Sequence, residues 1–310
     1  MFFFFFPCPH QQQTNKQTSK ISNMASYFPL FPIASLYSSF INLSIYASPD
    51  ANMAKTEPGS FSEGIITLES VRESLIRQED TIVFNLIERA RYPRNSPLYN
   101  QSYSIPGFSG SLFQYIVSQS ENLYARAGRY ENPEENPFFP DNLPGSLLPP
   151  YNYPKILHPP AASININSNI SDKYFNQLLP VLVSDGDDGN YASTATIDLL
   201  CLQALSRRIH YGKFVAEVKY REAPHQYEPL IRAKNSDALM KLLTFEKVEE
   251  EVKKRVEKKA MIFGQEVTLS SNDTKGKRKI DPSVLSKLYA DWVIPLTKVV
   301  EVEYLLHRLD

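Results

Sequence analysis

From residue 66 onward, apolar residues recur at helical spacing along most of the chain. In "ITLESVRESLIRQEDTIVFNLIERARYP" (66–93), Leu68, Val71, Leu75, Ile82 and Leu86 fall on one face. The pattern predicts a long amphipathic helix, capped by Thr67 and ended by Pro93. A second helical stretch covers 108–130. Residues 132–160 are rich in proline, which excludes a regular helix or a central strand. Their Phe and Tyr content predicts packing against the body of the protein. Residues 171–184 read as helix, and "DGDDGN" (185–190) as a turn. The pattern then predicts one helical run over 191–222, about eight turns long. Short helices are expected over 225–234 and 236–243. A longer one over 244–264 is stopped by Gly264. A polar loop covers 271–279. The last helix, 281–310, starts at Asp281 and Pro282, with a kink or junction at Pro295. There is no alternating strand pattern, no repeat and no Gly-rich phosphate loop. The expected fold is all-α, a single helical-bundle domain over 61–310.

Composition narrows the function classes. The 310 residues are 42% hydrophobic and 22% charged, as in ordinary soluble domains. Lys plus Arg total 33 against 34 Asp plus Glu, which argues against a general nucleic-acid or anionic-membrane binder but leaves room for a local basic pocket. Two cysteines, Cys8 and Cys201, give no disulfide framework and point to a reducing compartment. Cys201 reads as a buried, inert thiol. Residues 1–60 form an expected extension outside the fold. No run there reaches about 18 consecutive apolar residues, so no transmembrane helix is expected. Abundant Ser and no acidic residue before Asp50 resemble a plastid transit peptide, yet the segment has no Arg. Met53, opening "MAKTEPGSFSEG", fits a native start behind a start-site extension.

"LSRRIHYGKFVAEVKY" (205–220) has helical apolar spacing but carries Arg207, Arg208, Lys213 and Lys219. Arg208 and Lys219 are eleven residues apart, so on a continuous helix they differ by only about 20° around the axis. They would lie roughly 16 Å apart along it, close enough for long side chains to meet on a small dianion, with Gly212 leaving room. Arg207 and Lys213 point away and read as solvated. The plainer alternative is that the cationic stems simply lie across apolar surface. Other helices carry similar groups. Arg72 sits between Leu68 and Leu75. Glu249 shares a stripe with Phe245, Val252 and Val256. Thr297 and Glu301 stack at i and i+4. Four helices with polar groups on apolar faces suggest one polar pocket inside a bundle.

"RESLIRQEDTIVFNLIERA", "NPEENPFFP", "CLQALSRRIHYGKFVAEVK" and "IPLTKVVEVEYLLHRL" resemble the eukaryotic, all-helical chorismate mutases. The resemblance is greatest to the plant members, and among these to the unregulated cytosolic isoforms. It spans about Leu68 to Asp310. It implies a homodimer that rearranges chorismate to prephenate on the route to phenylalanine and tyrosine, with no cofactor or metal. It also implies that Arg72 and Arg208 clamp the substrate's carboxylates and that Lys219 and a protonated Glu301 donate to its ether oxygen. Glu249 would accept from the ring hydroxyl and Thr297 bond a carboxylate. Fungal members carry asparagine where Phe245 stands.

Regulated members bind Tyr or Trp at a second site. The matching stretches are "AGRYENPEE", with Gly128 and Arg129, and "GNYASTAT", with Ala192, Ser193 and Thr196. Glycine is usual at the position of Ala192, where it lets a ligand approach the backbone. The expectation is a weak or absent response to Tyr and Trp, and a cytosolic location, with plastid as the alternative. Two rival readings stay open: an inactive scaffold of the same fold, and a different enzyme acting on a related dicarboxylate.

Overall fold

The computed structural model describes residues 66–100, 105–141, 143–266 and 278–310. All of them belong to one compact unit, Glu57–Asp310. The expected extension 1–60, the Met53 start and most of the polar loop 271–279 lie outside the described residues. The described residues form helices with no strand, as an all-α bundle requires. No helix among them is long and apolar enough to cross a membrane.

Helix α1 (Leu68–Arg89) opens on a capping box in which Thr67 and Ser70 exchange hydrogen bonds. It ends before Pro93 for a specific reason. The Arg89 guanidinium turns back and donates to the carbonyls of Tyr92, Pro93 and Arg94, which holds those residues in a turn. Its Nε meets Asp198 at 2.5 Å, and both side chains are fully buried. Tyr99 and Tyr174 donate to the same carboxylate, at 2.5 and 2.6 Å. Helix α2 (Leu112–Arg126) also starts on a capping box, Ser111 with Gln114, and stops before Gly128, whose φ of 80° is left-handed.

The stretch expected over 171–184 is built as α3 (Asn167–Lys173), a wide turn Tyr174–Leu178 and α4 (Leu179–Leu182). The end of the chain repeats this device with α10 (Pro282–Leu288), a wide turn Tyr289–Val293 and α11 (Ile294–Leu306). In each case the backbone N–H after the turn bonds a carbonyl five residues back, and a proline follows: Pro180 or Pro295. Proline offers no N–H and its ring crowds the preceding turn, so the chain widens before it. Pro295 thus marks the expected junction.

The run 191–222 is not a single helix. It breaks at Tyr211 into α5 (Tyr191–His210) and α6 (Gly212–Glu222). Helices α7 (Pro224–Arg232) and α8 (Ser236–Leu243) follow, then α9 (Glu246–Phe263). Gly264 caps α9 with φ −82°, so its left-handed freedom is not used there. Helices α1, α5, α6 and α11 meet around a core that includes Ile82, Leu86, Leu202, Leu205, Ala216, Val300 and Leu305. Cys201 is buried in it, and burial raises its thiol pKa, so it is protonated and inert.

The proline-rich segment packs as expected along part of its length. Phe138 and Phe139 are half-buried and Ile156 is buried, while Leu147, Leu148 and Tyr151 are exposed. Residues 134–139 form a strap pinned at several points. Glu135 pairs with Arg207 and Arg129, Asn136 takes the Lys213 ammonium at 2.9 Å, and Glu121 accepts the backbone N–H groups of Phe138 and Phe139.

Candidate active site

Side chains of seven helices, α1, α5 to α9 and α11, line a cavity of about 600 Å³. Arg72, Arg208, Lys219, Glu249, Thr297 and Glu301 all line it. Helix α1 supplies Arg72, α5 supplies Arg208, and α6 supplies Lys219. Helix α9 supplies Glu249, and α11 supplies Thr297 and Glu301. Leu68, Val71, Leu75, Val215, Leu243 and Ile294 provide apolar wall between the charges.

The geometry corrects several expectations. Lys213 is not solvated. It is 2% exposed, and burial lowers its ammonium pKa to about 8. The break at Tyr211 is confined to one residue of right-handed helical backbone, and Arg208 and Lys219 face the same cavity, as their spacing predicts. Arg207 does point away, toward Glu135 on the strap. Arg72 does not sit on a packed face but is exposed at the edge of the cavity. Gly212 makes room for α11 rather than for a ligand. A Cβ there would stand 2.7 Å from the Thr297 carbonyl oxygen and 3.3 Å from the Glu301 side chain.

The charges in the cavity are unevenly partnered. Lys219 pairs with Glu301 at 3.2 Å, Arg255 with Glu79 at 2.7 Å, and Lys298 with Glu249 at 2.9 Å. Arg72 and Arg208 pair with no carboxylate among the described residues. Arg208 is 5% exposed, and its Nη1 reaches only Thr297 Oγ1, at 3.4 Å. Its Nε is buried with no partner among the described residues. A buried guanidinium with an unused donor is a receptor for an anion. Lys219 also stands 5.2 Å from the centre of the Phe245 ring, so a carboxylate and an aromatic face hold it. Burial pushes the Glu301 carboxyl above its ordinary range, against the pull of Lys219.

Five charged groups in the wall were not singled out from the sequence: Glu79, Glu222, Glu251, Arg255 and Lys298. Glu79 is completely buried and binds Arg255 through both oxygens, at 2.7 and 2.8 Å, tying α1 to α9. It lies seven residues after Arg72, on the same helical stripe, so the spacing signal was present. Arg255 and Lys298 each stand between a polar residue and a valine, and had no comparable signal.

The residues carried over for an effector lie elsewhere. Gly128 and Arg129 follow α2, and Arg129 bonds Glu135 at 3.0 Å. Ala192, Ser193 and Thr196 are exposed on the first turns of α5, where the Thr196 hydroxyl donates to the Ala192 carbonyl.

A helical bundle holding two guanidiniums without carboxylate partners, beside cations that are each paired, defines a binder of small dianions. Comparison with known proteins makes this specific. Residues 190–302 match the family model described as chorismate mutase type II. The chain is 59% identical over 264 residues to chorismate mutase 2 of Arabidopsis thaliana, covering 84% of this chain and all of that protein. It is 62% identical over 247 residues to chorismate mutase 2 of Petunia hybrida, covering 79% and 94%. The crystal structure of AtCM1 with phenylalanine in its allosteric site superimposes with a TM-score of 0.72 at 54% identity, covering 79% of this chain and 97% of that one. A second AtCM1 structure carries tyrosine in the allosteric site, and the Candida albicans chorismate mutase is in complex with L-Trp. Relatives named as cytosolic and as chloroplastic are both among the matches. The chain belongs to the eukaryotic, all-helical chorismate mutases. It is an isomerase of aromatic amino acid biosynthesis, with chorismate mutase activity.

Proposed function

We propose that the cavity performs the rearrangement of chorismate to prephenate through the six side chains brought together in it. The single observation that carries this reading is the pair of partnerless guanidiniums, Arg72 and Arg208, in a wall whose other cations are matched. They answer the two carboxylates of the substrate, one at the open edge and one in the buried part. Thr297, within reach of Arg208, adds a hydroxyl to the inner carboxylate. Holding both ends fixes the flexible diacid in the compact chair-like form that reacts, which is catalysis by orientation.

The reaction is internal to the substrate. The C–O bond of the ether breaks as a C–C bond forms, with no proton gained or lost overall. Negative charge builds on the ether oxygen along the way, so donors placed there strengthen most in the transition state. Lys219 is one donor. Glu301, whose hold on a proton burial strengthens, is the other when it carries that proton. Glu249 accepts from the ring hydroxyl while Lys298 holds it in place.

The test is Arg208→Ala, followed by the disappearance of chorismate absorbance. Turnover should fall by on the order of a thousandfold or more, because a desolvated carboxylate loses its charged partner. A folded variant that keeps parental turnover overturns the assignment.

Three further readings rest on the same resemblance. The protein works as a homodimer. It responds weakly or not at all to Tyr and Trp, because Ala192 places a methyl group where a ligand would approach the backbone, and a several-fold change in rate on adding either amino acid would overturn this. It acts in the cytosol, which N-terminal sequencing of the native protein would test: a start at or near Met53 supports it, and a processed transit peptide contradicts it.

A further inference from the structure

Helices α6 and α11 are joined at a second place, one turn further along α11 than Glu301. Glu217 on α6 is completely buried. Its Oε2 accepts from the Tyr304 hydroxyl and, at 2.7 Å, from Arg308 Nε. Its Oε1 accepts from Arg308 Nη2 at 3.2 Å and from Arg221 Nε at 2.6 Å. Burial opposes the charge on this carboxylate, and the bonds from Arg308, Tyr304 and Arg221 outweigh it, so its pKa lies below the ordinary range. The same cluster holds the proline-rich segment. Arg221 Nη2 donates to the Ile156 carbonyl at 2.6 Å, and the His158 N–H donates to the Tyr304 hydroxyl at 3.1 Å. Ile156 packs with Val71 and Val215, which line the catalytic cavity.

The place of this cluster on α6 bears on the catalytic pair. Gly212, Ala216 and Tyr220 form one stripe of the helix. Gly212 lies against Thr297, and the Arg308 guanidinium lies over the Tyr220 ring at 4.6 Å, so the stripe faces α11 and the residues after it. Glu217 flanks the stripe on one side and Lys219 on the other. Lys219 reaches Glu301 at 3.2 Å, and Glu217 reaches Tyr304, three residues on from Glu301. Helix α11 is therefore gripped from both flanks of α6. A buried ion pair is a weak source of stability beside apolar packing of the same volume, and its best attested use is to fix register.

We propose that Glu217 and Tyr304 are positioning residues for the rearrangement. Their bond fixes the rotation and slide of α11 against α6, so that Lys219 and Glu301 reach the ether oxygen together. Neither is among the described residues that line the cavity, so they act through the donors and not on the substrate. The inference rests on the reading of Lys219 and Glu301 as those donors. Arg72 and Arg208 stand on α1 and α5, outside the grip, so the hold on the two carboxylates is spared.

The test is Tyr304→Phe, which removes one hydroxyl and keeps the ring, assayed for kcat, KM and pH profile beside the parent and Glu301→Gln. The kcat should fall about tenfold with KM changed about twofold or less, since a small misplacement of the donors costs rate more than binding. Burial raises the Glu301 carboxyl, and Lys219 is the strongest of the cations that oppose it, ahead of Arg208 on α5 and Lys298 on α11. The Tyr227 hydroxyl on α7 feels the same carboxylate. A loosened Lys219 lets Glu301 keep its proton longer, so the alkaline limb of kcat should move up by about half a pH unit. Arg308→Gln, at a partly exposed position, removes two bonds to Glu217 and should move kcat and the limb the same way. It is read in place of Tyr304→Phe should that variant fail to fold. A structural role alone would lower the unfolding midpoint and leave kcat, KM and the limb at parental values, and that result overturns the proposal. An unchanged kcat with KM raised severalfold overturns it too, because the carboxylate clamp would then have moved instead of the donors. A limb that persists in Glu301→Gln refutes the donor reading and this proposal with it. A limb absent there, with Tyr304→Phe parental, refutes the positioning role alone.

Discussion

Glu301 is a carboxyl in a buried wall, and burial raises its pKa while Lys219 opposes the shift. A raised carboxyl gives its neutral form extra stability below the unfolded value of 4.5, and that advantage is lost as pH rises through the folded value. Activity that needs the acid form declines over the same rise. Glu301→Gln replaces the acid with a donor that does not titrate. The variant should keep substantial turnover, with a profile extending to higher pH than the parent's. Complete loss at every pH in a folded variant would contradict the role. Phe245 makes a smaller contribution. Its ring faces the Lys219 ammonium at 5.2 Å, although the side chain is half exposed. Phe245→Ala should lower kcat by about two- to fivefold with a smaller change in KM, because Lys219 loses one of its two supports. An unchanged kcat would assign the ring no part in holding Lys219.

At the level of elements, the catalytic wall depends on how closely α6 approaches α11. Gly212 is the point of nearest contact, over the Thr297 carbonyl. Gly212→Ala would force a methyl group to 2.7 Å from the Thr297 carbonyl oxygen, and that atom is backbone, which cannot rotate away as a side chain can. The helices must separate, carrying Thr297 and Glu301 away from Lys219. Stability should fall by about 1–3 kcal/mol and kcat/KM more than tenfold, measured by denaturant unfolding and by initial rates. Normal kinetics in this variant would show that the wall tolerates the separation. The strap offers a test of another kind. Lys213 holds Asn136 while buried, with a folded pKa of about 8 against 10.5 when unfolded. Between these values the unfolded state binds more protons, so this group makes stability rise as pH climbs from about 8 to 10.5. Lys213→Met should flatten that rise, which spans on the order of 3 kcal/mol. Parallel unfolding curves of parent and variant across the window would remove Lys213 from the account. His210 beside it is neutral, its pKa pushed down to about 3 by burial and by Lys213. Its Nε2 accepts from the Ile166 backbone, which leaves Nδ1–H for the Ser206 carbonyl.

For the molecule as a whole, the proposed homodimer predicts a mass in solution of twice the 35.4 kDa chain mass, measured by light scattering. A mass equal to one chain would refute it. The bond from Leu147 N to the Arg126 carbonyl brings Leu147 beside the end of α2, whose Leu123 is also exposed. Apolar side chains left open in this way are candidates for such a contact. The helices themselves were legible because their signals are local. Apolar spacing, the Thr67 cap and the Asp281–Pro282 start act within a turn or two of chain. The break at Tyr211 was not legible, since no proline or left-handed residue marks it and only packing against α11 explains the need for Gly212. The early stop of α1 was hidden too, because Arg89 reaches across to Asp198, more than a hundred residues away. The sequence by itself determined the residue types, their helical stripes and hence the family and its reaction. Tertiary structure decided which charges are matched and which are left open. It placed Lys213 in the interior, Arg72 at the rim and Glu79 between Arg255 and Lys259, because partnering and burial depend on neighbours that linear spacing does not specify.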